Sequence, residues 1–273
     1  MKKLIFLFIS AFSLILTSCE KVIDIGVSDT EPKLVIEALY DAVDEKVSVN
    51  ISKTVNVFEA TDYFPTVSGA TVKIIDENDV SFTLNDEGEG RYSLENYSPI
   101  YNSLYRLQVT LDGITYEAQD SLMPIVPIDS LRFEYQEGSL FFEEGYLVFF
   151  EFSDPLDVNN FYKVRLNLNG EDLIKPSDQM LFVNGPNNSS SQSIPIYWQI
   201  FQNNDSLQVD LISYSQRSYF YYSDFFSLLS NSPVVAAPAN PRVQWTNDTD
   251  DEIECLGHFT AFGYDRKSIV VQE

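Results

Sequence analysis

From Lys33 onward, apolar and polar side chains alternate with a period of two rather than 3.6, and this alternation most limits what the chain can become. Leu34 to Leu39 is β-branched and apolar, and Val47 to Ser52 alternates strictly. Ala70 to Ile75, Tyr92 to Leu94, Tyr105 to Leu111 and Thr115 to Ala118 continue the pattern. Turn-forming residues separate these runs: Ser68-Gly69, Asp76 to Asp79, Asp86 to Gly88 and Asp112-Gly113. Short strands at this spacing predict an antiparallel β-sandwich over residues 33–125.

Met123-Pro124-Ile125-Val126-Pro127 marks a boundary, because two prolines stiffen the chain and remove donors from a sheet. Strand patterning resumes at Ser130–Tyr135, Tyr146–Phe152, Tyr162–Leu168, Ile194–Phe201 and Leu207–Ser213. Residues 126–273 therefore read as a second β-rich domain, carrying a polar loop over Asn184–Gln192 and one helix over Ser215–Leu229. In that helix Tyr221, Phe225 and Leu229 recur at intervals of four, with Tyr222 and Phe226 beside them, and Ser230 to Pro233 would stop it. Ser268 to Val271 is expected to close a sheet. The fold class is mostly all-β: an immunoglobulin-like sandwich followed by a second β-rich domain with one short helix.

Ahead of this lies a targeting segment. Lys2 and Lys3 precede an apolar run from Leu4 to Leu16, shorter than the roughly 20 residues a spanning helix needs. It ends in Leu16-Thr17-Ser18-Cys19, which resembles the bacterial lipobox. Residues 1–18 then form a lipoprotein signal peptide, Cys19 carries the acyl groups (diacylglycerol and a palmitate-type chain), and 19–32 is a tether. An ordinary secretory signal with an incidental Cys is the plainer alternative.

Composition removes whole classes of function. With 17 basic against 41 acidic side chains, a net charge of −24, the surface offers no basic face for nucleic acid. One His and 2 Cys argue against a multi-His metal centre and a disulfide scaffold. There is no Gly-x-Ser-x-Gly elbow, His-Glu-x-x-His pair or glycine-rich phosphate loop. Cys255 and His258 lie three apart, a spacing that points to opposite faces of a strand, and a serine triad would have to use His258. No catalytic residue, cofactor or metal site is therefore assigned, and the chain reads as non-catalytic.

Three patterns remain as candidate sites. Seven aromatics crowd residues 214–226, more than one buried stripe can use, so Tyr219, Tyr221, Tyr222, Phe225 and Phe226 form a candidate partner or ligand face; the plainer alternative is a helix packed on a sheet. Asp248, Asp250, Asp251 and Glu252 offer oxygen ligands for Ca²⁺, though they lack the glycine and spacing of a calcium loop. Ser121, Ser130 and Ser206 each follow Asp and precede Leu, which resembles the O-glycosylation sequon of Bacteroidota.

A lipobox Cys19 followed by Glu20-Lys21-Val22-Ile23-Asp24-Ile25, then Pro32 to Glu37, Gly69-Ala70-Thr71-Val72 and Asn160 to Val164, resembles a Bacteroidota lipoprotein family of unknown function. Its members are encoded beside TonB-dependent outer-membrane receptors. The resemblance implies a lipid-anchored outer-membrane protein accessory to such a β-barrel receptor, in cargo capture or receptor docking, with no catalytic residues to carry over. Glu20-Lys21 departs from the acidic run of surface-displayed members, which leaves open the face of the membrane. Two other readings stand beside it: a carbohydrate hydrolase with paired carboxylates in the second domain, and a surface adhesin.

Overall fold

The computed structural model describes residues 31–55, 64–138, 143–175, 179–185, 190–229, 241–249 and 254–272. Cys19 and the signal segment lie outside the described residues. Residues 32–273 group as one unit.

Among the described residues the alternation expected from the sequence builds eighteen strands, joined by one helix. The largest sheet runs β12 (Glu171–Asp172), β11 (Asn160–Leu168), β15 (Ser206–Tyr214), β18 (Phe259–Val270), β1 (Leu34–Asp41), β2 (Lys46–Lys53), β6 (Arg91–Leu94) and β5 (Asn85–Gly88). β13 (Met180–Asn184) adds to β11, and β17 (Cys255–Leu256) adds to β1. Two smaller sheets face it. One runs β16 (Thr246–Asn247), β8 (Ile114–Leu122), β7 (Ser103–Leu111), β3 (Thr71–Ile75) and β4 (Ser81–Thr83). The other runs β14 (Ser191–Pro195), β10 (Gly145–Ser153) and β9 (Ile128–Gln136). The architecture is thus all-β as expected: two sandwiches built on a single shared sheet.

Each smaller sheet closes its own core. Ile36, Tyr40, Val49, Ile51, Leu107 and Val109 fill the first, and Phe150, Phe152, Val164, Leu166, Val209 and Leu211 fill the second. The chain passes from one to the other through residues 123–127, which belong to no strand. Leu122 closes the first core, while Val126 and Ile128 open the second.

The seam between the cores is β18. It runs parallel to β1, with Ala38 beside Phe259 and Asp41 beside Phe262, then antiparallel to β15, from Gly263 beside Ser213 to Val270 beside Ser206. Strand periodicity turns its odd-numbered residues inward. Phe259 and Ala261 therefore enter the first core, and Ile269 packs on the second. Trp245 and Cys255 join the first core as well, so the sequence after 126 supplies both cores. At Gly257 φ is +96°, and a Cβ there would stand 2.1 Å from the Ile36 carbonyl oxygen, so only glycine lets the chain pass β1 at that point.

Most expected strands appear within a residue or two of their expected ends. Thr115–Ala118 runs on to Leu122, the expected Ser268–Val271 is the end of a strand that begins at Phe259, and Ile194–Phe201 breaks up. β14 stops at Pro195, whose missing N–H falls on the free edge of this edge strand; the Ile196 N–H still donates to Val148 O at 2.9 Å before the chain leaves, and Phe201 returns as a single bridge to Tyr146. The ends of the expected loop 184–192 belong to β13 and β14. Among the described residues no helix is long and apolar enough to cross a membrane.

Candidate functional site

β8 alternates Tyr116, Ala118, Asp120 and Leu122 inward, so a carboxylate occupies a position where its neighbours are apolar. Asp120 is 2% exposed. The helix α1 (Gln216–Leu229) starts directly above it. Ser215 acts as its N-cap: its Oγ accepts the Ser218 N–H at 3.0 Å and donates to Asp120 Oδ1. Ser218 Oγ donates to Asp120 Oδ2 at 2.7 Å. The β15–β18 ladder ends at Ser213 and Gly263, and beyond that end the Ala261 N–H donates to the same carboxylate at 2.9 Å. One side chain from the smaller sheet thus ties down the helix and the seam strand together.

His258 completes the cluster. Its Nε2 lies 3.1 Å from Ser218 Oγ, and Tyr221 stacks on its ring with centroids 4.0 Å apart and planes 5° from parallel. Burial, with a smaller contribution from Arg217, lowers its pKa to about 3, so the imidazole is neutral. Burial also raises Asp120 to about 6, opposed by the hydrogen bonds from Ser215, Ser218 and Ala261. The single hydroxyl proton of Ser218 is given to the carboxylate, so the tautomer that fits has Nε2–H donating to Ser218 Oγ. That assignment leaves His258 Nδ1 without a hydrogen-bond partner.

This geometry differs from a nucleophile triad, in which the imidazole takes the serine proton. Here the carboxylate takes it, and Ser218 is fully buried. The arrangement serves to anchor α1. Cys255 also lacks the setting of a nucleophile, since burial pushes its thiol up to about 12.

α1 then lies across the outer face of the large sheet, which carries three rows of side chains here. Phe161 pairs with Tyr214, and Phe262 lies 6.3 Å from Tyr214 just past the end of the ladder; Lys163, Ile212 and Tyr264 form the second row and Arg165, Asp210 and Arg266 the third. Tyr219 packs on Phe161 at 5.2 Å, and Tyr222 stacks on Tyr214 at 5.2 Å. Lys163 Nζ sits over the rings of Tyr222 (5.4 Å) and Phe226 (5.2 Å), and burial lowers its pKa to about 8. Asp210, 2% exposed, accepts from Arg165 Nε at 2.8 Å and from Arg266 Nε and Nη2 at 2.6 and 2.8 Å. Of the expected aromatic face, Tyr219, Tyr221 and Tyr222 are spent on this packing. Phe225 stays 37% exposed, with Leu229 at 46% beside it.

Beside the helix N-terminus lies a cavity of about 750 Å³. Gln119 and Ser121 of β8 line one side; Arg217, Phe220 and Tyr221 of α1 another; Arg242 and Gln244 the third. Arg217 donates to Gln119 O at 2.8 Å, and Arg242 stacks over Phe220 at 4.9 Å while pairing with Asp224 at 3.3 Å. Both amide atoms of Gln244 are buried, with no hydrogen-bond partner among the described residues. The nearest carboxylates are engaged, Asp120 by the two serines and Glu117 by the Gln108 amide at 2.8 Å.

The other sequence candidates stand apart from this cavity, apart from Ser121. Ser121 is a half-buried residue of β8 lining the cavity, Ser130 donates to Glu151 at 2.6 Å, and Ser206 is exposed at the start of β15. Asp248 accepts the Thr115 N–H at 2.9 Å. Asp250, Asp251 and Glu252 lie outside the described residues. Among the described residues no group of three or more His, Cys, Asp or Glu side chains is placed to hold a metal ion. Sequence reading missed Asp120, Ser218, Arg217, Arg242 and Gln244. The one legible signal was the Asp at an inward position of β8, in register with Tyr116, Ala118 and Leu122.

Comparison with known proteins returns one family and several distant structures. The family described as "Domain of unknown function (DUF4249)" matches residues 20–268. No curated protein matches. Among solved structures, the chicken interferon gamma receptor alpha chain is similar at 7% identity, over 67% of this chain and 88% of that one, with a TM-score of 0.21. The FN1-FN3 domains of chicken CNTN1 are similar at 8% identity, over 89% and 67%, with a TM-score of 0.28. A bacterial ice-binding adhesin is similar at 11% identity, over 90% and 66%, with a TM-score of 0.22. Overlaps this loose carry no argument about activity, and the architecture rests on the strand pairings above.

Proposed function

The chain belongs to the DUF4249 family of unknown function, and from that premise we propose that it is a non-catalytic, lipid-anchored protein of the outer membrane that docks with a TonB-dependent β-barrel transporter or captures its cargo. The anchor is Cys19, carried by the lipobox-like Leu16-Thr17-Ser18-Cys19. Anchoring confines the search for a partner to two dimensions and raises its effective concentration, so a small contact face is sufficient.

The observation that carries this reading is α1. A helix of six aromatic residues buries only Ser218 completely. Its sheet-facing side is satisfied by Phe161, Lys163 and Tyr214, yet Phe225 and Leu229 still face solvent. Exposed large aromatics and aliphatics grouped on a rigid element are the kind of surface that protein partners use.

The test is purification of the detergent-solubilised protein from native membranes, as wild type and as a Phe225→Asp, Leu229→Asp double variant. A β-barrel receptor is expected to accompany the wild type and to be depleted at least several-fold from the variant. No barrel partner with wild type, or equal recovery with both, overturns the proposal.

A further inference from the structure

The cavity beside α1 exists because a β-ladder comes apart. β16 runs antiparallel to β8, with Thr246 opposite Glu117 and Asn247 opposite Tyr116. At one end Asp248 prolongs the pairing, its N–H donating to Thr115 O at 3.2 Å. Continued the other way, the same register would set Gln244 opposite Gln119 and Arg242 opposite Ser121. Those pairs do not form. Trp245 turns into the first core, where its indole N–H donates to Ile36 O at 3.0 Å, and the chain before it stands away from β8. All four residues that would have paired line the resulting gap.

Backbone groups of alternate residues point to the same edge of a strand. Thr115 and Glu117 turn theirs toward β16, so Gln119 and Ser121 turn theirs into the cavity. Among the described residues no strand pairs with them there; Gln119 O is met by Arg217 and the Ser121 N–H by the Asp120 carboxylate, which leaves the Gln119 N–H and the Ser121 carbonyl for an added strand. The gap therefore offers an open sheet edge and two guanidinium groups, that of Arg242 also paired with Asp224. Its volume of about 750 Å³ falls inside the roughly 300–1,000 Å³ of ligand sites. In a chain of net charge −24, two exposed arginines at one cleft are a local departure that favours a negative ligand: Asp224 meets only one edge of the Arg242 guanidinium, and the lining carboxylates Glu117 and Asp120 are held by Gln108 and by the two serines.

We propose that this cleft binds an extended peptide segment carrying a carboxylate. The peptide backbone adds to β8 at Gln119 and Ser121 in the place the chain before Trp245 vacates, and its acidic group meets Arg217 and Arg242. This deepens the docking reading and rests on it, by giving the contacted segment a chemistry: strand-forming, acidic and free of proline at the paired positions.

The experiment pans random hexapeptides displayed on phage against the full chain in detergent. Selected sequences are expected to be enriched in Asp and Glu and depleted in Pro. A labelled peptide from the selection should bind at least 10-fold more weakly to an Arg217→Ala, Arg242→Ala double variant whose denaturation midpoint is unchanged. N-methylation of alternate peptide amides should weaken it as much. Selection without acidic enrichment, or affinity unchanged in the arginine variant, overturns the cleft. Retained co-purification of a barrel receptor alongside either of those results removes the cleft and leaves the docking proposal standing. Acidic selection without any barrel partner does the reverse.

Discussion

The two cores are built on one sheet, yet their outer faces differ. Over the first core, β1 turns Glu37 and an exposed Leu39 outward and carries no covering layer among the described elements. Over the second, Phe161 and Lys163 of β11 and Tyr214 of β15 lie under α1, with Phe262 and Tyr264 of β18 in the same cluster, while Arg266, Ser268 and Val270 further along β18 stay exposed. A sandwich needs only its inner faces to be stable, so what differs outside is where a partner-specific surface can be placed. In this molecule the covered face supplies both the exposed aromatic rim and the wall of the cleft.

The largest effect expected from that comparison concerns how far the halves are independent. Because β18 feeds both cores, Phe152→Ala, which opens the second core at a cost of about 3–5 kcal/mol, should shift a single cooperative urea transition of the whole protein. Two separate transitions, with only one displaced, would show that the seam does not couple them. Next comes the anchor of α1. Asp120→Ala strands the hydroxyls of Ser215 and Ser218 and the Ala261 N–H in a buried place, and is expected to cost about 2–4 kcal/mol. Hydrogen exchange should then find α1 opening before the strands beneath it, and uniform protection loss would contradict its role as the helix anchor.

The pH response of the same cluster sharpens the contrast. His258 falls from 6.5 to about 3 on folding, so the unfolded chain binds its proton first, and this residue withdraws stability as pH drops from 6.5 toward 3. Asp120 rises from 3.8 to about 6, so its contribution is present below 3.8 and is lost as pH rises to 6. The two slopes oppose each other between pH 3.8 and 6. Removing one should expose the other: relative to wild type, His258→Gln should gain stability as pH falls below 6.5, by at most about 1.4 kcal/mol per unit. A constant difference between the two proteins across that range would exclude a buried neutral imidazole.

The smallest expected effect is at Lys163, held over Tyr222 and Phe226. Its pKa is lowered by burial from 10.5 to about 8, so the penalty for its charge is complete below pH 8 and gone above 10.5. Lys163→Met should therefore stabilise the protein by roughly 0.5 kcal/mol at pH 7, its partial exposure limiting the gain. Thermal melts at pH 7 and 10.5 check it, and equal midpoint shifts at the two values would refute it.

Legibility from sequence followed the range of the interactions. Strand alternation and helix periodicity are local, so β1, β2, β7, β11, β15 and α1 could be read with nearly correct ends. Interruptions by chemistry with a distant cause could not, as with Phe201, which returns to the sheet by a bridge to Tyr146. The anchor of α1 was hidden for the same reason: Asp120 meets Ser215, Ser218 and Ala261 across 95, 98 and 141 positions. Only the inward phase of Asp120 within β8 hinted at it. The aromatic crowding at 214–226 was plain, but which rings face the sheet and which face solvent depended on a partner surface that no local pattern specifies.

Side-chain period is a property of neighbours along the chain, and it determined that this protein is layered β-structure with one amphipathic helix. Where β16 parts from β8, and hence that a cleft with two arginines exists at all, was decided by Trp245 finding the Ile36 carbonyl on the far side of the first core. That contact spans 209 positions, and its energetic gain exists only once both layers have assembled.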